Sequence, residues 1–125
     1  MTRRLLIVDD EQDIRDVIQA SLEEFAGWEV VTTASGKEGL LILKAGHCDA
    51  ILLDVSMPDM DGLSVFEQLQ TDPETQKIPV ALLTAKILPS DRRHFAKLNI
   101  AGVIDKPFNP VIVWRQIAEI FGWDV

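Results

Sequence analysis

The stretch LLIVDDEQD, from Leu5 to Asp13, places a short apolar run directly before three consecutive acids. The run has the length and composition of a strand buried on both faces, as in a parallel sheet covered by helices. Asp9, Asp10 and Glu11 would then follow the carboxyl end of that strand, where like charges repel one another. Such a cluster needs a counter-charge from elsewhere in the chain.

Further apolar runs of strand length follow along the chain, and segments with helical spacing separate them. The runs are Val30–Val31, Ile51–Leu53, Val80–Leu83 and Val103–Ile104. In the first helical segment, apolar residues recur with the i, i+3, i+4 spacing of one helix face, at Ile14, Val17, Ile18, Leu22 and Phe25. This alternation predicts an α/β fold in one domain over residues 1–125, with a doubly wound parallel sheet of five strands and five helices.

Capping signals predict where the helices begin and end. The predicted starts are Ser35 with Glu38 as a capping box, Gly62, Ser90 or Asp91, and Asn109 with Pro110 at the first helical position. The predicted ends are Gly27, Gly46, Asp72 with Pro73, and Asn99 as a left-handed stop.

Composition narrows the classes of function. A formal net charge of −8 argues against direct nucleic-acid binding, which needs an excess of Lys and Arg. The sequence has neither an apolar run near the ~20 residues of a membrane span nor a signal-peptide pattern at its start. Cys48 is the single cysteine, so no internal disulfide can form, which suits a reducing cytosol. We expect Cys48 to serve in packing.

The residues that follow the predicted strands form a chemical constellation. They are Asp9 and Asp10, Asp54, Thr84 and Lys106. The carboxyl ends of parallel strands form the working edge of such sheets, so these side chains should converge. Three carboxylates there suit Mg²⁺, a hard cation that also binds phosphate oxygens. With the ammonium and the hydroxyl they would cradle a phosphoryl group, and Asp54, which precedes the turn-rich stretch DVSMPDMDG, is the predicted nucleophile.

The motifs LLIVDDE, ILLDVSMPDMDG, LLTA and DKPF, in this order, closely resemble those of receiver domains of two-component response regulators. The resemblance implies a cytoplasmic, flavodoxin-like domain with strand order 2-1-3-4-5 that signals and is not an ordinary enzyme. It implies that Asp54 accepts a phosphoryl group from a phosphohistidine of a histidine kinase or phosphotransfer protein. It also implies that Asp10 binds Mg²⁺ directly, Asp9 through water and Ser56 by its backbone carbonyl, while Thr84 and Lys106 contact the phosphoryl group.

The resemblance also implies partners. Ile14, Arg15 and Ile18, with Phe108 and Asn109, map to the surface that meets the histidine donor. Phosphorylation would switch binding to a downstream protein target. A homodimer formed through the fourth and fifth helices is a further alternative in the family. The chain stops after its fifth helix, so we expect a stand-alone receiver, with a receiver cut from a larger protein as the alternative.

The sequence departs from the family pattern in places. Val103 stands where many receivers carry a Tyr or Phe switch, which places aromatic gating in doubt. Asn99 replaces a usual glycine. Lys86 and Ser56 occupy positions that in receiver domains tune how fast water reaches the acyl phosphate; the alternative is a solvated surface lysine and a loop serine.

Plainer interpretations stand beside these. Asp9 or Asp10 alone could cap a helix, and Asp59 and Asp61 are expected to form turns. His47 and His94 are expected on the surface, while Trp114 is expected in the core and Trp123 remains a candidate partner contact.

Two other functions remain. A receiver-fold binding module would no longer accept phosphate. An aspartate-nucleophile phosphatase of the haloacid dehalogenase type needs a second Asp two residues after the nucleophile, where this chain has Ser56.

Overall fold

The computed structural model describes residues 2–55, 57, 62–85 and 89–123, in which parallel strands alternate with helices. The strands are β1 (Arg4–Val8), β2 (Glu29–Thr33), β3 (Ala50–Asp54), β4 (Val80–Thr84) and β5 (Gly102–Asp105). The helices are α1 (Gln12–Ser21), α2 (Gly36–Ala45), α3 (Gly62–Thr71), α4 (Pro89–Ala96) and α5 (Val113–Phe121), and a π-helical turn, Leu22–Ala26, extends α1.

The strands form one parallel sheet in the order β2-β1-β3-β4-β5, which confirms the predicted fold class. Every residue of the central strands β3 and β4 is buried, as the continuous apolar runs predicted. The register pairs Val8 with Leu53, Asp54 with Leu83, and Thr84 with Asp105. The carboxyl ends of these strands therefore lie side by side.

Apolar layers cover both faces of the sheet. Successive side chains of β1 point to opposite faces, so Leu5 and Ile7 join one core while Leu6 and Val8 join the other. α1 and α5 close the first core, and α2, α3 and α4 close the second. Among the described helices, none is long and apolar enough to cross a membrane.

Several predicted helix limits are confirmed. The Ser35 hydroxyl accepts a hydrogen bond from the Glu38 amide at 3.3 Å and caps α2. Gly27 ends the first helical segment in the left-handed region, with φ of 70°. Gly46 follows α2 as predicted, but its backbone is extended.

The fourth helix differs from its prediction at both ends. It begins at Pro89, so Ser90 and Asp91 lie in its first turn and the predicted cap is wrong; the fixed φ of proline suits a first helical position. It ends at Ala96, before Asn99 is reached. No non-glycine residue of the described chain has a positive φ, so the left-handed stop at Asn99 is also wrong.

The start of α5 lies later than predicted. The Asn109 side chain accepts a hydrogen bond from the Val111 amide at 2.9 Å, and its carbonyl accepts one from Val113 at 2.9 Å. Asn109 therefore opens a turn over residues 110–112, and the regular helix begins at Val113 after Ile112 as its cap. Pro110 lies in that turn and not in the helix.

The apolar face predicted for the first helical segment is narrower in the structure. Ile18 and Leu22 are fully buried, whereas Val17 is 41% exposed and Phe25 48% exposed. Phe25 lies in the π-helical turn, where the wider winding displaces side chains from the 3.6-residue period.

The predicted packing of Cys48 and Trp114 is confirmed. Cys48 is 1% exposed, and Trp114 packs against the core while its indole nitrogen donates to the Val111 carbonyl. Trp123 also packs on the core, with its ring 5.0 Å from that of Trp28 in an edge-to-face arrangement.

Candidate functional site

The predicted acidic side chains converge at the carboxyl edge of the sheet. Asp9 and Asp10 follow β1, and Asp54 is the last residue of the neighbouring strand β3. One carboxylate oxygen from each lies within 4.8 Å of the other two. The three acids therefore form one cluster.

Asp9 is fully buried, and its polar groups contact three different elements. Its amide donates to the Thr33 carbonyl of β2 at 3.1 Å, and its Oδ1 accepts from the Glu11 amide at 2.8 Å. Its backbone carbonyl accepts from Nη1 of Arg15 at 2.8 Å, and its Oδ2 lies 2.8 Å from Nζ of Lys106. The position of Asp9 is thus fixed from β2, from α1 and from Lys106, which follows β5.

The helix-capping alternative for these acids is wrong. Glu11, not Asp9 or Asp10, occupies the cap position of α1. Asp9 makes a local turn through the Glu11 amide but points its second oxygen at Lys106. Asp10 is exposed, and its side chain makes no hydrogen bond or ion pair with any residue that the structure describes.

Lys106 is the cation of the cluster. Its Nζ lies 2.8 Å from Asp9 Oδ2, 3.6 Å from Asp54 Oδ1 and 3.7 Å from Glu11 Oε1, and its side chain is 9% exposed. Burial by itself lowers the pKa of the ammonium, but the close contact with Asp9 and the charges of Asp54 and Glu11 outweigh it, so the pKa of Lys106 is raised. Lys106 therefore stays protonated at neutral pH.

The donor set fits Mg²⁺. Among the described residues, three carboxylates converge around the one ammonium of Lys106, and the ligand atoms that they offer are hard oxygens. Like charges at about 4 Å repel by ~4 kcal/mol at an effective dielectric near 20, so a divalent cation would relieve a substantial cost.

Thr84 borders the same cleft. Its side chain is buried at the end of β4, and its backbone carbonyl accepts from the Lys106 amide at 2.8 Å. The cleft has a volume of about 450 Å³, enough for a phosphoryl group. It is lined by Glu11, Asp54, Val55, Leu63, Thr84, Ala85, Asp91, His94, Phe95 and Lys106.

Sequence reasoning missed Gly62 as a determinant of this site. The Gly62 amide donates to the Val55 carbonyl at 2.9 Å, which brings the start of α3 against the end of β3. A Cβ at Gly62 would overlap the Asp54 carbonyl oxygen and lie 2.9 Å from the Val55 Cα. The sequence held one signal for this role: a glycine at a predicted helix start that follows closely after the strand carrying the predicted nucleophile.

Two side chains near the cluster were also missed. Glu11 faces Lys106, and Arg15 contacts the carbonyl of Asp9. The run of three acids in the sequence pointed to Glu11, whereas nothing in the sequence indicated the contact of Arg15.

Other sequence predictions have mixed outcomes. His47 and His94 are exposed, as predicted, and His47 pairs with Asp49 at 2.9 Å. Ile18 is fully buried, so its assignment to a partner surface is wrong, whereas Ile14, Arg15, Phe108 and Asn109 remain at least partly exposed. Ser56, Asp59, Asp61 and Lys86 lie outside the described residues.

Val103 is half-buried on β5, beside a cavity of about 280 Å³ that Phe95, Leu98 and Ile100 also line. A branched aliphatic side chain has no ring to swing between this cavity and solvent. In the structure, as in the sequence, Val103 therefore departs from the aromatic switch that many receivers carry at this position.

Comparison with known proteins identifies the family. The sequence model of the response regulator receiver domain matches residues 5–117. The chain belongs to this family. Receiver domains are signalling domains of two-component systems, and they interact with histidine kinases and downstream effectors.

Individual relatives agree with this assignment. The receiver chain is 37% identical to the probable transcriptional regulator ycf27 of Cyanophora paradoxa over 94% of its own length. It spans about half the length of the curated relatives it matches, 48% in this case.

Solved structures agree as well. The Vibrio cholerae chemotaxis protein CheY4 superposes with a TM-score of 0.88 at 28% identity, covering 96% of this receiver and 99% of CheY4. The receiver domain of the Pseudomonas aeruginosa PAO1 sensor histidine kinase PA1611 superposes with a TM-score of 0.84 at 26% identity, covering 98% and 99%. The PA1611 structure has a magnesium ion coordinated in its active-site cleft.

Proposed function

We propose that this receiver domain takes a phosphoryl group onto Asp54 from a phosphohistidine of a histidine kinase or phosphotransfer protein. The observation that carries the proposal is the convergence of Asp9, Asp10 and Asp54 within 4.8 Å, with Lys106 bridging Asp9 and Asp54. Among the described residues, these three carboxylates face one buried ammonium, an arrangement suited to a divalent cation that, together with Lys106, would offset the negative charge of an incoming phosphoryl group.

Asp54 is the acceptor in this proposal. An oxygen of its carboxylate attacks phosphorus, the bond from phosphorus to the histidine nitrogen breaks, and an acyl phosphate forms. The Lys106 ammonium, 3.6 Å from Asp54 Oδ1, then pairs with a phosphoryl oxygen. The Thr84 hydroxyl, on the wall of the same cleft, donates to another.

The metal site of the proposal consists of Asp9, Asp10, Asp54 and the backbone carbonyl of Ser56. Bound Mg²⁺ would neutralise part of the carboxylate charge and attract phosphoryl oxygens. Asp9, held by contacts on every side, orients the cluster, while exposed Asp10 is open to solvent and so to a hydrated cation.

Phosphorylation would act as a switch because it changes charge at one point. A carboxylate of charge −1 becomes a group near −2 with strong acceptor oxygens. Lys106 then has a better partner than Asp9, and arrangements in which it reaches that partner gain population. We propose that the whole of residues 1–125 acts as one such domain in the cytoplasm and alters its binding to a downstream protein, with homodimerisation as one outcome.

The test uses acetyl phosphate, Mg²⁺ and intact-protein mass. The wild-type chain should gain one phosphoryl mass that hydroxylamine removes, while Asp54→Asn should gain none. Asp16→Asn, which neutralises an exposed acid of α1, is the matched control and should label like the wild type.

Each outcome decides between candidates. Hydroxylamine-labile labelling that persists in Asp54→Asn would reassign the acceptor. If even the wild type stays unlabelled across a range of Mg²⁺ concentrations, the chain is a binding module that keeps the fold without the chemistry.

A further inference from the structure

We propose that Arg15 is a positioning residue for the metal site: its guanidinium locks the turn between β1 and α1 from which the Asp10 carboxylate projects. This inference rests on the proposed function, because it concerns the same Mg²⁺ site. It assigns to Arg15 an inward role in addition to its place at the donor-facing end of α1.

The contact itself is specific. Nη1 of Arg15 donates to the backbone carbonyl of Asp9 at 2.8 Å, and this hydrogen bond is partly buried. The Arg15 amide donates to the Glu11 carbonyl at 3.1 Å, one turn earlier in the helix. The amide contact is the regular backbone bond of the helix and any residue would keep it, so the guanidinium contact to the Asp9 carbonyl is the part that depends on Arg15 itself.

Asp10 needs this support more than its neighbour does. The Asp9 carboxylate is fixed through its own oxygens, by the Glu11 amide and by Lys106. The Asp10 side chain has no such restraint from the described residues, so its placement depends on its backbone alone. A metal ligand with a free side chain is only as well placed as the turn that carries it.

The charge of Arg15 opposes its role as a hydrogen-bond donor. A guanidinium near the acid cluster weakens attraction for a cation, so simple electrostatics predicts that removing it tightens Mg²⁺ binding. A positioning role predicts the reverse, because groups that orient metal ligands typically contribute about 10–100-fold in affinity. The sign of the effect therefore separates the two roles.

The experiment measures the Mg²⁺ dissociation constant of the unphosphorylated chain by titration calorimetry. Arg15→Met should weaken binding by about tenfold, at the low end of the range for such groups. Arg15→Lys, which keeps a charged donor, should recover part of the loss. Arg93→Met, which removes the same charge from an exposed position on α4, is the control and should bind like the wild type.

Two further readouts exclude a general loss of structure. In the metal-free state, Arg15→Met should shift the amide resonances of Asp10 and Glu11 while the melting temperature stays near that of the wild type. Labelling by acetyl phosphate should need more Mg²⁺ for half-maximal rate, yet reach a rate within about twofold of the wild type at saturating Mg²⁺, as expected for lost ligand placement.

Equal or tighter Mg²⁺ binding by Arg15→Met overturns the inference and leaves Arg15 as a counter-charge. If Arg15→Met is too unstable to titrate, Arg15→Gln, which also removes the charge, decides: weaker Mg²⁺ binding than the wild type supports the role, and equal or tighter binding contradicts it. Failure of the wild type to bind Mg²⁺ would instead overturn the proposed function.

Discussion

At the amino end of the sheet, Glu29 and Asp49 each lie against a donor group of Arg4 or His47, whereas at the carboxyl end the described residues place three close carboxylates around one ammonium. At the amino end, Nε of Arg4 lies 3.5 Å from Glu29 Oε1, and His47 Nε2 lies 2.9 Å from Asp49 Oδ1. The Asp49 Oδ2 also accepts from the Arg4 amide at 2.7 Å, and Nη1 of Arg4 donates to the His47 carbonyl at 2.7 Å. This amino-end cluster joins the starts of β1, β2 and β3.

The carboxyl-end cluster of Asp9, Asp10 and Asp54 has Lys106 as its close cation. The two clusters lie at opposite ends of β1 and β3, which both of them share. We infer that the balance between acids and the donor groups around them, and not burial alone, distinguishes a cluster that stabilises the fold from one suited to bind a ligand. Variants at the two ends should therefore respond differently.

The largest effect should come from backbone crowding at the carboxyl end. Gly62→Ala should lower the free energy of unfolding by about 3 kcal/mol, because the new Cβ overlaps the Asp54 carbonyl and neither backbone can yield easily. Urea unfolding measures the change, and acetyl phosphate labelling should be lost with it.

Gly46→Ala at the amino end is the matched control. Its Cβ would lie 3.1 Å from Nη1 of Arg4, the far end of a flexible side chain, and its φ of −161° is open to any residue. The expected change is within about 0.5 kcal/mol. Equal losses in the two variants would mean that the close approach of α3 to β3 does not constrain the site.

The next effect tests the balanced cluster. Asp49→Ala removes the acceptor of the Arg4 amide and of His47, and should cost about 2 kcal/mol because hydrogen bonds to a charged group are among the stronger ones. Thermal and urea unfolding provide the measurement. The control Asp16→Ala, at an exposed helix position, should change stability by less than about 0.5 kcal/mol. A similar loss of stability in Asp49→Ala and Asp16→Ala would mean that the amino-end cluster contributes no more than an exposed acid does.

Neutralising an acid of the unbalanced cluster should have the opposite sign. Asp10→Asn should stabilise the metal-free chain by about 1 kcal/mol, since it relieves repulsion at a partly solvated site. Mg²⁺ at ten times its dissociation constant should stabilise the wild type by about 1.4 kcal/mol but leave Asp10→Asn nearly unchanged. Destabilisation of the metal-free variant would show that the acids are compensated without a cation.

The sequence predicted the carboxyl-end cluster better than the amino-end one, for a physical reason. Asp9, Asp10, Asp54 and Lys106 each end or follow an apolar run, and parallel strands bring such ends together whatever the side chains do. Asp49 contacts the Arg4 amide and the His47 side chain, and the spacing of apolar residues in the sequence does not predict contacts of this kind.

The predictions of helix limits failed where two local conformations of the backbone are nearly equal in energy. Asn109 uses the same side-chain contact in a turn that it would use as a helix cap, so the pattern could not separate a helix starting at 110 from one starting at Val113. The π-helical turn that exposes Phe25 and the reach of Arg15 to a carbonyl depend on tertiary packing. Those features became visible only in the folded chain.

The smallest expected effect separates the two clusters by pH. Burial alone raises the pKa of the Asp49 carboxyl, but hydrogen bonds from the Arg4 amide and His47 outweigh it and the pKa is lowered. Its contribution to stability is therefore present above the ordinary value of 3.8 and lost as pH falls through the lower folded-state value. At the carboxyl end the raised pKa of Lys106 places the change in the alkaline range instead.

The free energy of unfolding of the wild type minus that of Lys106→Met isolates the lysine. Because the folded chain holds this proton more tightly than the unfolded chain does, the difference should be constant from neutral pH up to 10.5 and fall as pH rises through the higher folded-state value. The chain has no tyrosine to titrate in the same range, and Cys48 is common to both proteins. A difference that stays flat to the alkaline limit would mean that the acids do not hold the Lys106 proton, and the contrast between the two ends would lose its electrostatic basis.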